Sequence, residues 1–177
     1  MEEKITVSYC VTVCNELVEI TTLLNFLQLN IGENDEIVVQ YDTNGVTPEV
    51  LDYLNLMGAI HKNHTIIGFP LNNDFASFKN NLKSHCKGTY IFQLDADEQP
   101  HQTLVENLST VLETNPVDLV FVPRINTVEG LTDEHVKKWG WGISKMETLI
   151  GEKEIDTDSE EYKLLKKLGY IITETPV

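Results

Sequence analysis

The sequence predicts an α/β fold built on a mostly parallel central sheet with helices on both faces. Three observations lead there. Runs rich in β-branched residues recur along the chain, and each is followed by a segment with apolar residues at helical spacing. The connections between them are short, which favours parallel strands joined by right-handed crossovers. Polar residues also collect just after the strands, at the carboxyl ends where open α/β sheets bind ligands.

The first strand is Ile5-Thr6-Val7-Ser8-Tyr9-Cys10-Val11-Thr12-Val13, nearly continuous in apolar character, as a strand covered on both faces reads. Leu17, Ile20, Leu23, Leu24 and Leu27 mark a helix from Leu17 to Leu29. Glu36 to Tyr41 is a second strand, closed by the turn Asp42-Thr43-Asn44-Gly45. Thr47-Pro48-Glu49 opens a second helix with proline at its first position, running to about Met57. His64 to Gly68 is a third strand. Asn73 to Cys86 is a helix with Phe75, Phe78 and Leu82 on one side. Thr89 to Leu94 is a fourth strand, Leu104 to Leu112 a helix, and Val117 to Val122 a fifth strand.

After Arg124 the alternation stops. Thr132 to Trp139 and Ser159 to Leu168 read as short helices, separated by the charged segment Gly151 to Asp158. The expected organisation is an α/β domain over residues 1–124, followed by a shorter appendage or incomplete segment over 125–177.

The totals narrow the function classes. The 177 residues suit one domain and can bury about two-thirds of the unfolded surface. With 28 carboxylates against 13 Lys and Arg, the formal charge is -15, and no basic stripe offers itself to a nucleic-acid backbone. No segment reaches the ~20 apolar residues of a membrane span, and Met1-Glu2-Glu3-Lys4 is not a signal-peptide start, so a cytoplasmic location is expected. Of the three cysteines, Cys10 and Cys14 stand four apart on one strand, with Cα atoms ~13 Å apart. A disulfide needs less than ~7 Å, so reduced cysteines are expected.

The chemistry lies in the polar residues after the strands: Asn15-Glu16, Asp42-Thr43-Asn44 and Asp95-Ala96-Asp97-Glu98. An Asp-x-Asp directly after an apolar strand, with another Asp after a neighbouring strand, suits a hard divalent cation. Mg²⁺ or Mn²⁺ prefers oxygen ligands, and one or two carboxylates commonly suffice when phosphates and waters complete the octahedron. Such a cation assists departure of a diphosphate by neutralising its developing charge.

In this order the motifs resemble the donor half of family 2 glycosyltransferases. Val11-Thr12-Val13-Cys14-Asn15-Glu16 is similar to their first strand, Glu36 to Gly45 to their second, Phe78-Lys79-Asn80 to their Ala-Arg-Asn helix, and Thr89 to Pro100 to the strand entering Asp-x-Asp. The resemblance covers about residues 5–124. It implies a GT-A-like fold and inverting, metal-dependent transfer of a sugar from a nucleoside diphosphate, a UDP-sugar, to an acceptor hydroxyl of unknown identity. By the same resemblance Thr12, Asn15 and Glu16 line the nucleoside pocket and Asp42 accepts from the base. Lys79 approaches the diphosphate, Asp95 contacts ribose or metal-bound water, and Asp97 ligates Mn²⁺ or Mg²⁺. Thr12 and Cys14 replace a proline and a tyrosine of the first motif, and Lys79 replaces arginine, keeping charge without bidentate geometry. No G-x-G-x-x-G or Walker sequence occurs.

A catalytic base is the missing part. Asp133 and Glu134 are candidates, but both also fit the first turn of a helix capped by Thr132, where carboxylates are favoured anyway. Residues 122–131 and Trp139-Gly140-Trp141-Gly142 resemble glycosyltransferase-like proteins of tailed phages. Trp139 and Trp141 suit either stacking on an acceptor sugar or covering a sheet edge. His61-x-x-His64 lacks the further ligands of a metal site, and His101 suits either the metal's surroundings or a polar helix start. Two rival functions remain: a GT-A domain that binds sugar nucleotide without turnover, and a nucleotidyltransferase. The latter usually carries a Gly-rich basic loop after its first strand, which Asn15-Glu16 is not.

Overall fold

The computed structural model describes residues 4–124 together with Thr132, Glu134, His135 and Lys138. The chain divides into two compact units, Met1–Val120 and Phe121–Val177. The first alternates regularly: β1 (Val7–Val13), α1 (Leu17–Asn30), β2 (Glu36–Asp42), α2 (Pro48–Ile60), β3 (His64–Phe69), α3 (Phe75–Ser84), β4 (Tyr90–Asp95) and α4 (Gln102–Thr114). All strand pairings are parallel, in the order β3-β2-β1-β4.

Strand alternation sorts the side chains into two layers. Val7, Tyr9, Val11 and Val13 of β1 and Ile37 and Val39 of β2 meet Ile20, Leu23, Leu24 and Leu27 of α1, Val50, Leu54 and Met57 of α2, and Val105, Leu108 and Leu112 of α4. Each fully buried aliphatic side chain there contributes about 1.5–3 kcal/mol of transfer free energy. On the opposite face Cys10, Val38 and Leu82 form a much smaller cluster, and α3 is the helix that covers it. Helices thus lie on both faces, as the sequence predicts, but unequally.

The anchoring of α3 is largely polar. Gln40 of β2 is fully buried, donates from Nε2 to the Phe78 carbonyl at 2.7 Å and accepts at Oε1 from Asn81 Nδ2 at 2.8 Å. A buried amide satisfied on both sides specifies one docking position where an apolar contact would permit several. The helix begins two residues later than its periodicity suggests. Asn72 and Asn73 take left-handed backbone angles (φ 47° and 58°), and Asp74 caps the helix through Ser77 N–H at 3.0 Å.

Behind α3 the chain returns to the sheet through Gly88, where the backbones nearly touch. A Cβ there would lie 2.6 Å from Ser8 N and 2.9 Å from the Val7 carbonyl carbon. Only glycine allows Gly88 N–H to reach Ser8 Oγ at 2.8 Å and start β4 in register with β1.

The expected fifth strand does not form. Residues 117–122 have no ladder, and Leu119 and Phe121 are 66% and 87% exposed. A strand requires a hydrogen-bonding neighbour and cover for at least one face. Among the described residues the side-chain tie to the sheet is the bond from Tyr90 Oη to the Val117 carbonyl at 2.7 Å, and the run crosses the boundary between the two units.

Cys10 and Cys86 are distant in sequence, yet their sulfurs lie 2.8 Å apart, both as free thiols. Burial is the main influence raising the Cys10 pKa, with Cys86 adding to it. His64 at the start of β3 is buried, with neither ring nitrogen hydrogen-bonded among the described residues, and its ring lies 4.7 Å from that of His61. Desolvation, followed by the neighbouring His61, lowers its pKa to about 4. A depressed histidine is neutral when folded and gains a proton on unfolding. Its contribution to stability is therefore complete above about pH 6.5 and is lost as the pH falls toward 4. Wild-type chain melted between pH 7 and 4 should lose about 3 kcal/mol that His64→Phe retains; equal losses in both would remove His64 from the account.

In the second unit, Glu134, His135 and Lys138 are helical, and Thr132 Oγ1 accepts from His135 N–H at 3.3 Å. Asp133, Trp139 and Trp141, and the expected helix from Ser159 to Leu168, lie outside the described residues. Among the described residues no helix is long and apolar enough to cross a membrane.

Candidate donor site at the carboxyl ends of the strands

The parallel register brings Thr12 of β1 opposite Asp95 of β4 and, on its other side, opposite Gln40 of β2. The α3 side chain Lys79 completes a closed ring of contacts. Lys79 Nζ donates to Thr12 Oγ1 at 2.9 Å and to Asp95 Oδ1 at 2.5 Å, and Thr12 Oγ1 donates to the same carboxylate oxygen. Three elements therefore meet at one point. The ion pair is partly open to water, with side chains 26% and 54% exposed.

Beyond Asp95 the chain turns sharply. Ala96 N–H continues the ladder to the Thr12 carbonyl at 3.0 Å, and Ala96 itself packs into the large core. A residue that small fits where the sheet ends, and its inward position leaves the flanking Asp95 and Asp97 exposed. Glu98 holds the turn, its Oε2 accepting from Asp95 N–H at 3.0 Å while its own N–H reaches the Asp95 carbonyl at 3.0 Å. His101 Nδ1 accepts from Thr103 N–H at 3.2 Å and so caps α4, a helix-start role.

Asp42 has a structural task. Its Oδ1 accepts from Asn44 N–H and from Leu71 N–H, both at 3.0 Å, tying the loop after β2 to the loop after β3. Asn44 Nδ2 adds a bond to Asn72 Oδ1 at 3.0 Å. Glu16 bends back, its Oε2 accepting from Cys14 N–H at 2.8 Å and Asn15 N–H at 3.0 Å, while the Asn15 side chain is exposed. Cys14 packs beside Gly45, where a Cβ would sit 2.5 Å from its sulfur.

The structure thus gathers Thr12, Lys79 and Asp95 in direct contact, with Asp97 two residues on. Asp42, Asn15 and Glu16 stand at the ends of β2 and β1 and shape the neighbouring loops. Glu134 is exposed in the second unit. Gln40 and Asn81 escaped the sequence reading. Gln40 had one usable signal, a polar residue inside an otherwise apolar strand.

Among the described residues, no group of three or more His, Cys, Asp and Glu side chains could hold a metal ion. The available donor set is the Asp95–Asp97 pair. Asp97 is exposed and makes no side-chain hydrogen bond among the described residues, whereas Asp95 Oδ1 already faces Lys79 and Thr12.

A four-stranded parallel sheet flanked by helices, with polar residues gathered at its carboxyl ends, defines an α/β domain of GT-A type. The family model "Glycosyl transferase family 2" matches residues 8–168, and the chain belongs to that family. No curated protein matches it. Among solved structures, the crystal structure of S. aureus TarS 1-349 is similar in fold, with a TM-score of 0.56 at 17% identity. The match covers 67% of this chain and 38% of the TarS 1-349 chain, so it spans under two-fifths of that chain's length.

Proposed function

We propose that this chain is the donor-binding part of a metal-dependent glycosyltransferase. It would take a sugar from a nucleoside diphosphate, with UDP as the expected nucleotide, and pass it to an acceptor hydroxyl with inversion. Family membership supports glycosyl transfer as the reaction class. The observation that carries the donor reading is the Thr12–Lys79–Asp95 contact beside Asp97 at the strand ends.

The residues fit a hard divalent cation. Two carboxylates on a short turn, one already oriented by Lys79 and Thr12, leave room for the waters and phosphate oxygens that Mg²⁺ or Mn²⁺ requires. Asp97, with Asp95, would hold the ion, and the charge of the departing diphosphate is what such an ion neutralises. Lys79 lies where its ammonium can turn from Asp95 to a phosphate oxygen without leaving Thr12. Asp42 and Leu71 fix the loops that border a nucleoside.

A second reading is a domain that binds sugar nucleotide without turnover. In its favour, Glu134 stands in the first turn of a helix capped by Thr132, a position that suits a carboxylate without any catalytic duty. Calorimetric titration of the intact chain with UDP, with and without Mn²⁺, tests what both readings share. Saturable binding that needs the metal is expected, and its absence would refute both. Transfer or hydrolysis of a UDP-sugar above background then decides between them.

A further inference from the structure

Cys10 lies in the middle of β1 and is buried, while Cys86 stands two residues past the end of α3 and is partly exposed. Their sulfurs approach to 2.8 Å. The approach is held from both sides. Cys10 Sγ lies 3.4 Å from the Ser8 carbonyl oxygen, and Cys86 Sγ lies 3.4 Å from that of Leu82. The backbone just after Cys86 is pinned to the sheet, Lys87 N–H by Glu36 Oε1 at 2.5 Å and Gly88 N–H by Ser8 Oγ at 2.8 Å. Thr12, two residues on from Cys10 and on the same face of β1, meets Lys79 of α3. The helix and its following turn therefore touch β1 at two points, Lys79 near the strand's end and Cys86 at its middle.

We infer that Cys10 and Cys86 are a redox site, at which a disulfide bond forms and ties the end of α3 to β1. This is independent of the donor reading and stands or falls without it. Disulfide sulfurs lie ~2.05 Å apart, so less than ~1 Å of approach separates these thiols from a bond. A small disulfide such as glutathione disulfide is the oxidant. Cys86, the partner that solvent reaches, loses its proton and attacks one sulfur of the oxidant, and a thiolate departs. Cys10 then loses its proton and attacks the Cys86 sulfur, expelling the second thiolate. The two departing thiolates take up the two protons. Two protein thiols are thus oxidised by two electrons, one oxidant disulfide is reduced to two thiols, and Cys10 never has to meet the oxidant. Burial above all raises the pKa of both cysteines, which makes the first step slow. The second step joins sulfurs already in contact. The bond would bridge 76 residues of sequence, and beneath α3 it would reinforce an apolar cluster of only Cys10, Val38 and Leu82.

The test incubates the intact chain with glutathione disulfide, alkylates the remaining thiols and maps the peptides. The chain should lose two hydrogens, Cys14 alone should be alkylated, and the Cys10 peptide should be joined to the Cys86 peptide. The oxidised chain should melt about 10 °C above the reduced one, as a cross-link over a long loop does, and dithiothreitol should abolish the rise. Cys14 lies past the end of β1 beside Gly45, so Cys14→Ala should keep both the bond and the rise. Cys86→Ala should show neither. A wild type whose three thiols stay free, that carries only glutathione adducts, or that is joined through Cys14 overturns the inference. A Cys10–Cys86 bond without a higher melting temperature also overturns it, as does a rise that persists in Cys86→Ala.

Discussion

Asp97→Asn is expected to leave the fold intact and to reduce metal-dependent donor binding and transfer about 100-fold or more. Asp97 is exposed and holds no other side chain among the described residues, so removing its charge withdraws nothing from the core. Asparagine keeps the shape of the turn while halving the anionic ligand set for a hard cation. Thermal melting with and without Mn²⁺ separates the two effects. The variant should melt like the wild type in chelator and should lack the rise in melting temperature expected of the wild type with Mn²⁺ and UDP. A variant that retains that rise would move the metal away from Asp97.

Lys79→Ala should weaken UDP binding about tenfold to a hundredfold, the worth of a charge-assisted contact to a phosphate. Its cost to folding should stay within about 1 kcal/mol, because a half-open ion pair contributes little once water screens it. The contrast is the point of the experiment. If the Thr12–Lys79–Asp95 ring existed to dock α3, the loss would fall on stability, whereas a donor-binding role puts it on affinity. Lys79→Arg keeps the charge and should recover most of the affinity. A destabilised Lys79→Ala with unchanged UDP affinity would assign Lys79 to architecture.

Much of the fold could be read directly because buried parallel strands and amphipathic helices leave strong periodic patterns. The eight elements from Val7 to Thr114 all follow such patterns, with ends displaced by a few residues. The run at 117–122 misled because apolar content identifies what could pair, not whether a neighbouring strand is there to receive it. Asp95 and Asp97 were legible because a strand must end before a polar turn, and the turn is written into Asp95-Ala96-Asp97-Glu98. Gln40, which meets α3 across 38 residues of sequence, and the Cys10–Cys86 approach across 76, were not. Such contacts arise from packing, for which spacing along one chain carries no code.

The uneven covering of the sheet has a consequence for motion. The face bearing α1, α2 and α4 buries most of the aliphatic side chains, while α3 rests on a three-residue apolar cluster and a few polar bonds. Elements with little buried apolar area are the first to open in sub-global fluctuations. The helix carrying Lys79 should therefore exchange its amide hydrogens well ahead of β1 and α1, and a bound donor should slow that exchange most in α3. Capture of the nucleotide would then complete the packing of the thinner layer, with the ligand serving as part of its core.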